Sequence, residues 1–237
     1  MTQLEDSLAR LEQRITAACR QAARDRGSVR LIAASKARSE TEIRALHALG
    51  QQRFGESYVQ EFAAKCDALA AQALKPPPEW HFIGAMQGNK TRAVAERAHW
   101  VHSVDRLKIA QRLSAQRPAG LPPLQVCLQV DLSREPGKSG VPETGLQALA
   151  DATAQLPGLV LRGLMTLPAP SDDPEQQRRP FARLRELRDT LNAGGHRLDT
   201  LSMGMSDDLE AAILEGATLV RVGTALFGPR RPQARQT

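Results

Sequence analysis

Lys36 ends an otherwise apolar run, Arg30-Leu31-Ile32-Ala33-Ala34-Ser35, with Ala37 on its other side. A lysine flanked by small residues has room around its amine. Partial burial lowers a lysine pKa and leaves a neutral nucleophile, as Schiff-base chemistry requires. Position alone favours a plainer reading, a surface lysine whose stem lies along apolar neighbours. Two late segments, Ser202-Met203-Gly204-Met205-Ser206-Asp207 and Arg221-Val222-Gly223-Thr224, form a second candidate. Glycines there let the backbone approach a ligand, and Ser206 and Thr224 supply hydroxyls. In barrels such turns bind phosphate, and ordinary capping chemistry accounts for the same residues equally well. Arg221 lies within an apolar stretch, so its charge needs a ligand or a carboxylate partner.

Other signals carry less. Gly84 to Thr91 departs from a nucleotide-binding loop, because three residues instead of four separate its glycines and Asn89 stands before Lys90. Five histidines and three cysteines show no metal-ligand spacing, so no metal site is expected. His81, on an apolar segment, reads as a hydrogen-bonded core residue more readily than as a cofactor contact. Asp207 and Asp208 suit the positive end of a helix.

These residues need elements to position them, and the chain supplies a repeated grammar of short apolar strand, polar turn and amphipathic helix. An opening helix carries Leu4, Leu8, Leu11, Ile15 and Ala18 at helical spacing, with a Thr2–Glu5 capping box and Gly27 as its expected end. Strands are expected at Arg30–Ser35, Arg53–Gly55, Trp80–Ile83, Trp100–Ser103, Leu124–Val130, Leu159–Met165, Leu198–Ser202 and Leu219–Val222. Helices are expected between them, one opened by Ser39 with Glu42, one capped by Asp105, and one capped by Ser206 or Asp207. Eight such units predict a single-domain α/β fold, a (β/α)8 TIM barrel with an extra N-terminal helix. A doubly wound sheet would carry G-x-G-x-x-G after its first strand, where this chain has Ser35-Lys36-Ala37-Arg38. The expected barrel spans 1–228, and 229–237 forms a Pro/Arg-rich flexible tail. A barrel keeps its chemistry at the C-terminal strand ends. Those ends are Lys36, Glu56 and Ser57, His81 and Gly84, Ser103, Asp131 and Ser133, Met165 and Thr166, Ser202 to Ser206, and Gly223 with Thr224.

Composition agrees with one soluble domain. The chain has 237 residues, of which 24% are charged and 41% apolar, so most of it is expected to fold. Five Phe, two Trp and one Tyr are too few for the aromatic platforms of single-strand nucleic-acid modules. A net charge of +6 without a recognition motif predicts no specific nucleic acid partner. No run of apolar residues is long enough for a membrane span, and the first residues lack a leader pattern. Three scattered cysteines without Cys-x-x-Cys predict reduced thiols in a cytoplasmic protein.

Several segments together carry a family resemblance. They include Ala34-Ser35-Lys36, Phe54-Gly55-Glu56-Ser57-Tyr58-Val59-Gln60-Glu61, Trp80-His81-Phe82-Ile83-Gly84 and Val101-His102-Ser103-Val104-Asp105. Lys138-Ser139-Gly140, Arg162-Gly163-Leu164-Met165-Thr166, Leu201 to Asp208 and Val220 to Gly228 follow in order. The chain resembles the pyridoxal phosphate homeostasis family, which looks like the barrel domain of alanine racemase standing alone. The resemblance implies pyridoxal 5′-phosphate as cofactor, held as a Schiff base on Lys36. It further implies phosphate contacts from Ser202, Met203, Gly204, Ser206, Gly223 and Thr224. By the same resemblance Arg221 faces the pyridine nitrogen; His81 and Met165, at the ends of their strands, complete the expected cofactor-binding set. The family usually has Asn at the position of Ser57, His-Leu-Gln-Ser at Ala85-Met86-Gln87-Gly88 and Asn at Asp131. The implied function is storage, buffering or delivery of the cofactor, by a monomer, with apo pyridoxal-phosphate enzymes as partners. Racemisation needs two positioned bases, and Tyr58 is the only tyrosine. A racemase-like enzyme and a Schiff-base aldolase or phosphosugar enzyme are the alternatives.

Overall fold

A computed structural model describes residues 2–132 and 139–229. Ser133, Lys138 and residues 230–237 of the expected tail lie outside the described residues.

Among the described residues the apolar runs form eight strands: β1 (Arg30–Ala34), β2 (Arg53–Glu56), β3 (Glu79–Phe82), β4 (Trp100–Val104), β5 (Leu124–Gln129), β6 (Leu159–Met165), β7 (Thr200–Ser202) and β8 (Leu219–Val222). They pair in chain order, all parallel, and β8 pairs back onto β1 to close the barrel. The helices are α1 (Gln3–Gln21), α2 (Glu40–Ala48), α3 (Val59–Ala71), α4 (Thr91–Arg97), α5 (Leu107–Gln116), α6 (Glu143–Ala154), α7 (Pro174–Ala193), α8 (Leu209–Leu214) and α9 (Thr224–Phe227). The expected (β/α)8 barrel with an extra N-terminal helix is therefore the observed fold.

Both Ser/Thr–Glu patterns form reciprocal capping boxes, Thr2 with Glu5 and Ser39 with Glu42. Three boundaries differ from expectation. α1 stops at Gln21, six residues before Gly27, because Asp25 accepts from the Gly27 N–H and starts a separate 3-10 turn. Asp105 does not cap α5: its carboxylate is spent on Arg106, which holds the cap position. α8 is preceded by Asp208 at its cap position, and Asp208 Oδ1 accepts from the Met205 N–H at 2.5 Å. Ser206 instead accepts from the Ala225 N–H at 3.2 Å, tying the β7 loop to α9.

Most of the core lies between the sheet and its helices. Phe54, Phe62, Trp80 and Phe82 meet there at ring distances of 5.8 to 6.1 Å. Truncating a ring such as Phe62, which is fully buried, costs about 3–5 kcal/mol in such a core. A second cluster, Ile32, Trp100, Cys127, Met165 and Leu219, fills the barrel itself. The interior is thus packed rather than open, and the ligand space sits at its mouth. All three cysteines are buried and unpaired. Among the described residues no helix is long and apolar enough to cross a membrane.

Candidate functional site

The C-terminal strand ends surround a cavity of about 620 Å³. Lys36 reaches it from the loop after β1, Ser57 from β2, Gly84 and Ala85 from β3, and Gln129 from β5. Leu167, Pro168 and Pro170 wall it beyond β6, Met205 to Asp207 come from β7, and Arg221, Gly223 and Thr224 from β8. Two glycines give this rim its shape. A Cβ on Gly84 would lie 2.1 Å from the Ser57 carbonyl, so only glycine lets the β3 loop pass the β2 loop. Gly204 sits at φ +94, and a Cβ there would meet Ala212 at 2.6 Å. That bend turns Met205 to Asp207 toward the mouth.

Five of the ten expected cofactor contacts line the cavity: Lys36, Ser206, Arg221, Gly223 and Thr224. Ser202, Met203, His81 and Met165 are fully buried and do not line it, and Gly204 is also buried. Met165 packs with Ile32, Trp100, Cys127 and Leu219 inside the barrel. Gln129 borders the cavity and was not expected; its side chain donates to the Ser139 carbonyl at 2.7 Å. A polar residue at the end of the apolar β5 was the available signal.

The floor of the cavity is the Arg221 guanidinium. It donates to Ser202 Oγ at 2.6 Å and to the Thr166 carbonyl at 3.0 Å. Ser202 Oγ lies 2.6 Å from His102 Nδ1, and His102 Nε2 lies 2.9 Å from His81 Nδ1. His81 Nε2 is 3.1 Å from Glu79 Oε1, close but poorly aligned. His81 stacks on Trp100 at 5.7 Å and 13°. One polar chain therefore runs from the mouth through the packed interior to the lower rim.

Charge settles the direction of this chain. Burial holds both His81 and His102 below the usual imidazole value, so each ring is neutral near pH 7 and carries one N–H. The Glu79 carboxyl is held down to about 2; burial opposes this, and the nearby His81 ring with the charge of Arg53 overcomes it. An ionised Glu79 draws the His81 proton to Nε2, which leaves Nδ1 to accept from His102 Nε2–H. His102 Nδ1 then accepts from the Ser202 hydroxyl, whose oxygen is left to face Arg221. Burial lowers Arg221 to about 10, partly offset by Asp208, so it remains a cation at neutral pH. A desolvated cation backed by oxygen acceptors, opening on a cavity that is also lined by Lys36 and by the hydroxyl residues Ser57, Ser139, Ser206 and Thr224, can bind an anionic, ring-shaped ligand.

Tyr58 is 60% exposed. It lines a neighbouring cleft of about 440 Å³ with Lys90, Asp105 and Arg106 instead of the main cavity.

Comparison with known proteins identifies the family and the fold. The family model described as alanine racemase, N-terminal domain, matches residues 7–231. The pyridoxal phosphate homeostasis protein of Pseudomonas aeruginosa is 56% identical over 230 residues, 97% of each chain. Its counterpart in Vibrio cholerae is 45% identical, covering 97% of this chain and 98% of that protein. PipY of Synechococcus elongatus, solved with pyridoxal phosphate bound, superposes with a TM-score of 0.83 at 36% identity, over 95% of this chain and all of that one. Alanine racemase of Corynebacterium glutamicum shares the fold, with a TM-score of 0.70 at 20% identity over 98% of this chain and 64% of that enzyme. The full-length match and the shared barrel place this chain in the alanine racemase N-terminal domain family, alongside the pyridoxal phosphate homeostasis proteins.

Proposed function

We propose that this chain binds pyridoxal 5′-phosphate at the barrel mouth and serves cofactor homeostasis, by storage, buffering or delivery. The observation that carries the reading is the Arg221 guanidinium, held from below by Ser202 and Thr166 and bordering the same cavity as Lys36, Ser206 and Thr224. A cavity of about 620 Å³ falls in the ~300–1,000 Å³ range of small-molecule sites. Lys36 supplies the amine for covalent attachment. Ser206, Thr224 and the backbone around Gly223 face the phosphate, and Arg221 faces the ring nitrogen. Ser202, Met203, Gly204, His81 and Met165 support this lining from the interior. When bound, the cofactor supplies an aldehyde carbon that condenses with a primary amine, releasing one water.

A carrier suits these residues better than a racemase. Racemisation needs a base on each face of the substrate carbon. Lys36 provides one, whereas Tyr58 stands in the neighbouring cleft. Arg221 keeps its own proton, so the ring nitrogen facing it receives none and is a weaker electron sink. We read the chain as a cytoplasmic monomer, in keeping with its three buried, unpaired thiols, that exchanges cofactor with apo pyridoxal-phosphate enzymes.

The test is proton exchange at the amino-acid Cα in heavy water, using the cofactor-loaded protein. Slow exchange, insensitive to Tyr58→Phe, is the expected result. Exchange at ~1 s⁻¹ or faster, lost in Tyr58→Phe, would establish an enzyme instead.

A further inference from the structure

The loop carrying Lys36 is tied on both sides to one buried charged cluster. Lys65, on α3 and only 6% exposed, donates three hydrogen bonds. They go to the Ser35 carbonyl at 2.7 Å, to Glu56 Oε1 at 2.7 Å and to Glu61 Oε1 at 2.6 Å. The Ser35 hydroxyl donates to the same Glu56 oxygen at 2.6 Å. Across Lys36, the Ala37 N–H donates to Glu61 Oε1 at 2.6 Å. Ala37 sits at φ +60, a conformation an alanine adopts only when its surroundings impose it. The residues before and after Lys36 are thus both anchored to one unit, built from the end of β2 and the first turns of α3.

A buried ion cluster of this kind is costly to assemble and is weak evidence for stability alone. Burial pushes the Glu56 carboxyl up, Lys65 pulls it back, and Glu56 Oε2 has no hydrogen-bond partner among the described residues. Apolar residues would fill the space at less cost. What the cluster provides is a fixed backbone on either side of the amine.

We propose that Lys65, with Glu56 and Glu61, is the positioning device for Lys36, fixing its Cα so that the amine meets a carbonyl bound at the mouth. This inference rests on the proposed cofactor site. The step it serves forms one C=N bond from a primary amine and an aldehyde, expels one water and changes no oxidation state. Displacing a reacting group by ~1 Å can cost about a hundredfold in rate, so the anchors act on the rate of attachment more than on affinity for the ring and phosphate.

The test compares two ligands on apo protein. Pyridoxine 5′-phosphate lacks the aldehyde and reports the non-covalent site. Pyridoxal 5′-phosphate reports Schiff-base formation through its absorbance in stopped flow. Glu61→Ala removes the anchor on Ala37 from a partly exposed helix turn, and Glu61→Gln keeps an acceptor there. Lys65→Met leaves Glu56 buried without its cation and endangers the fold, so Glu61→Ala carries the decision. The proposal predicts at least tenfold slower attachment in Glu61→Ala, rescue to within twofold by Glu61→Gln, and pyridoxine 5′-phosphate affinity within twofold of the parent in both. Unchanged attachment in Glu61→Ala, or an equal loss for both ligands, would overturn it. A parent protein that binds neither ligand would instead remove the cofactor reading on which the proposal stands.

Discussion

Ser202→Ala removes the hydroxyl that joins Arg221 to the buried histidines. The side chain is fully buried, and two hydrogen bonds of 2.6 Å converge on its oxygen. The bond from the Arg221 guanidinium is charge-assisted and worth about 1.5–3 kcal/mol, and the bond to neutral His102 about 0.5–1.5 kcal/mol. An alanine leaves both partners buried without replacement, so the expected loss of stability is about 3 kcal/mol. With a urea slope of ~3 kcal/mol/M for a chain of this size, the unfolding midpoint should fall by about 1 M. Adding His102→Phe gives a double-mutant cycle. If the residues act as one chain, the double variant loses less than the sum of the singles by more than ~0.5 kcal/mol. A midpoint within ~0.2 M of the parent, with additive singles, would refute a continuous polar chain under Arg221.

Acid should also weaken the fold through the same residues. His81 and His102 have folded pKa values lowered by burial from 6.5, so below pH 6.5 the unfolded chain binds more protons than the folded one. Their contribution to stability is complete above that pH and is lost progressively beneath it; urea midpoints that are flat from pH 7 to 5 would contradict this. Removing the hydroxyls of Ser206 and Thr224, as Ser206→Ala and Thr224→Val, should weaken pyridoxal 5′-phosphate binding by about 1.5–3 kcal/mol for each bond lost to the charged phosphate. Calorimetry should show pyridoxal itself unaffected, and equal losses for both ligands would count against a phosphate role.

The barrel was readable in the sequence because strand and helix periods alternate cleanly, and because apolar runs such as Leu124–Val130 are short and bounded by turn residues. Lys36, Arg221 and Thr224 could be singled out for the same reason: each is a polar group at or near the end of an apolar strand. The interior chain could not. His81, His102, Ser202 and Arg221 lie on β3, β4, β7 and β8, and His102 meets Ser202 across 100 residues of chain. Strand periodicity says which face a residue occupies, whereas barrel closure decides what it faces. Lys65 was hidden differently: at helical spacing from Glu61 it reads as an exposed ion pair, and only the packing of α3 on the Lys36 loop buries it. The helix starts expected at Asp105 and at Ser206 or Asp207 differ because the Asp105 carboxylate is committed to Arg106 and the Ser206 hydroxyl to the Ala225 N–H, which leaves Asp208 at the cap position of α8.

The central claim is that Lys36 is the residue that takes the cofactor, and one measurement tests it most directly. The protein is loaded with pyridoxal 5′-phosphate, reduced with borohydride, digested, and mapped by peptide mass. The account predicts a phosphopyridoxyl adduct on Lys36, and an otherwise folded Lys36→Ala protein that carries none. An adduct confined to Lys65, Lys90 or another lysine would contradict it.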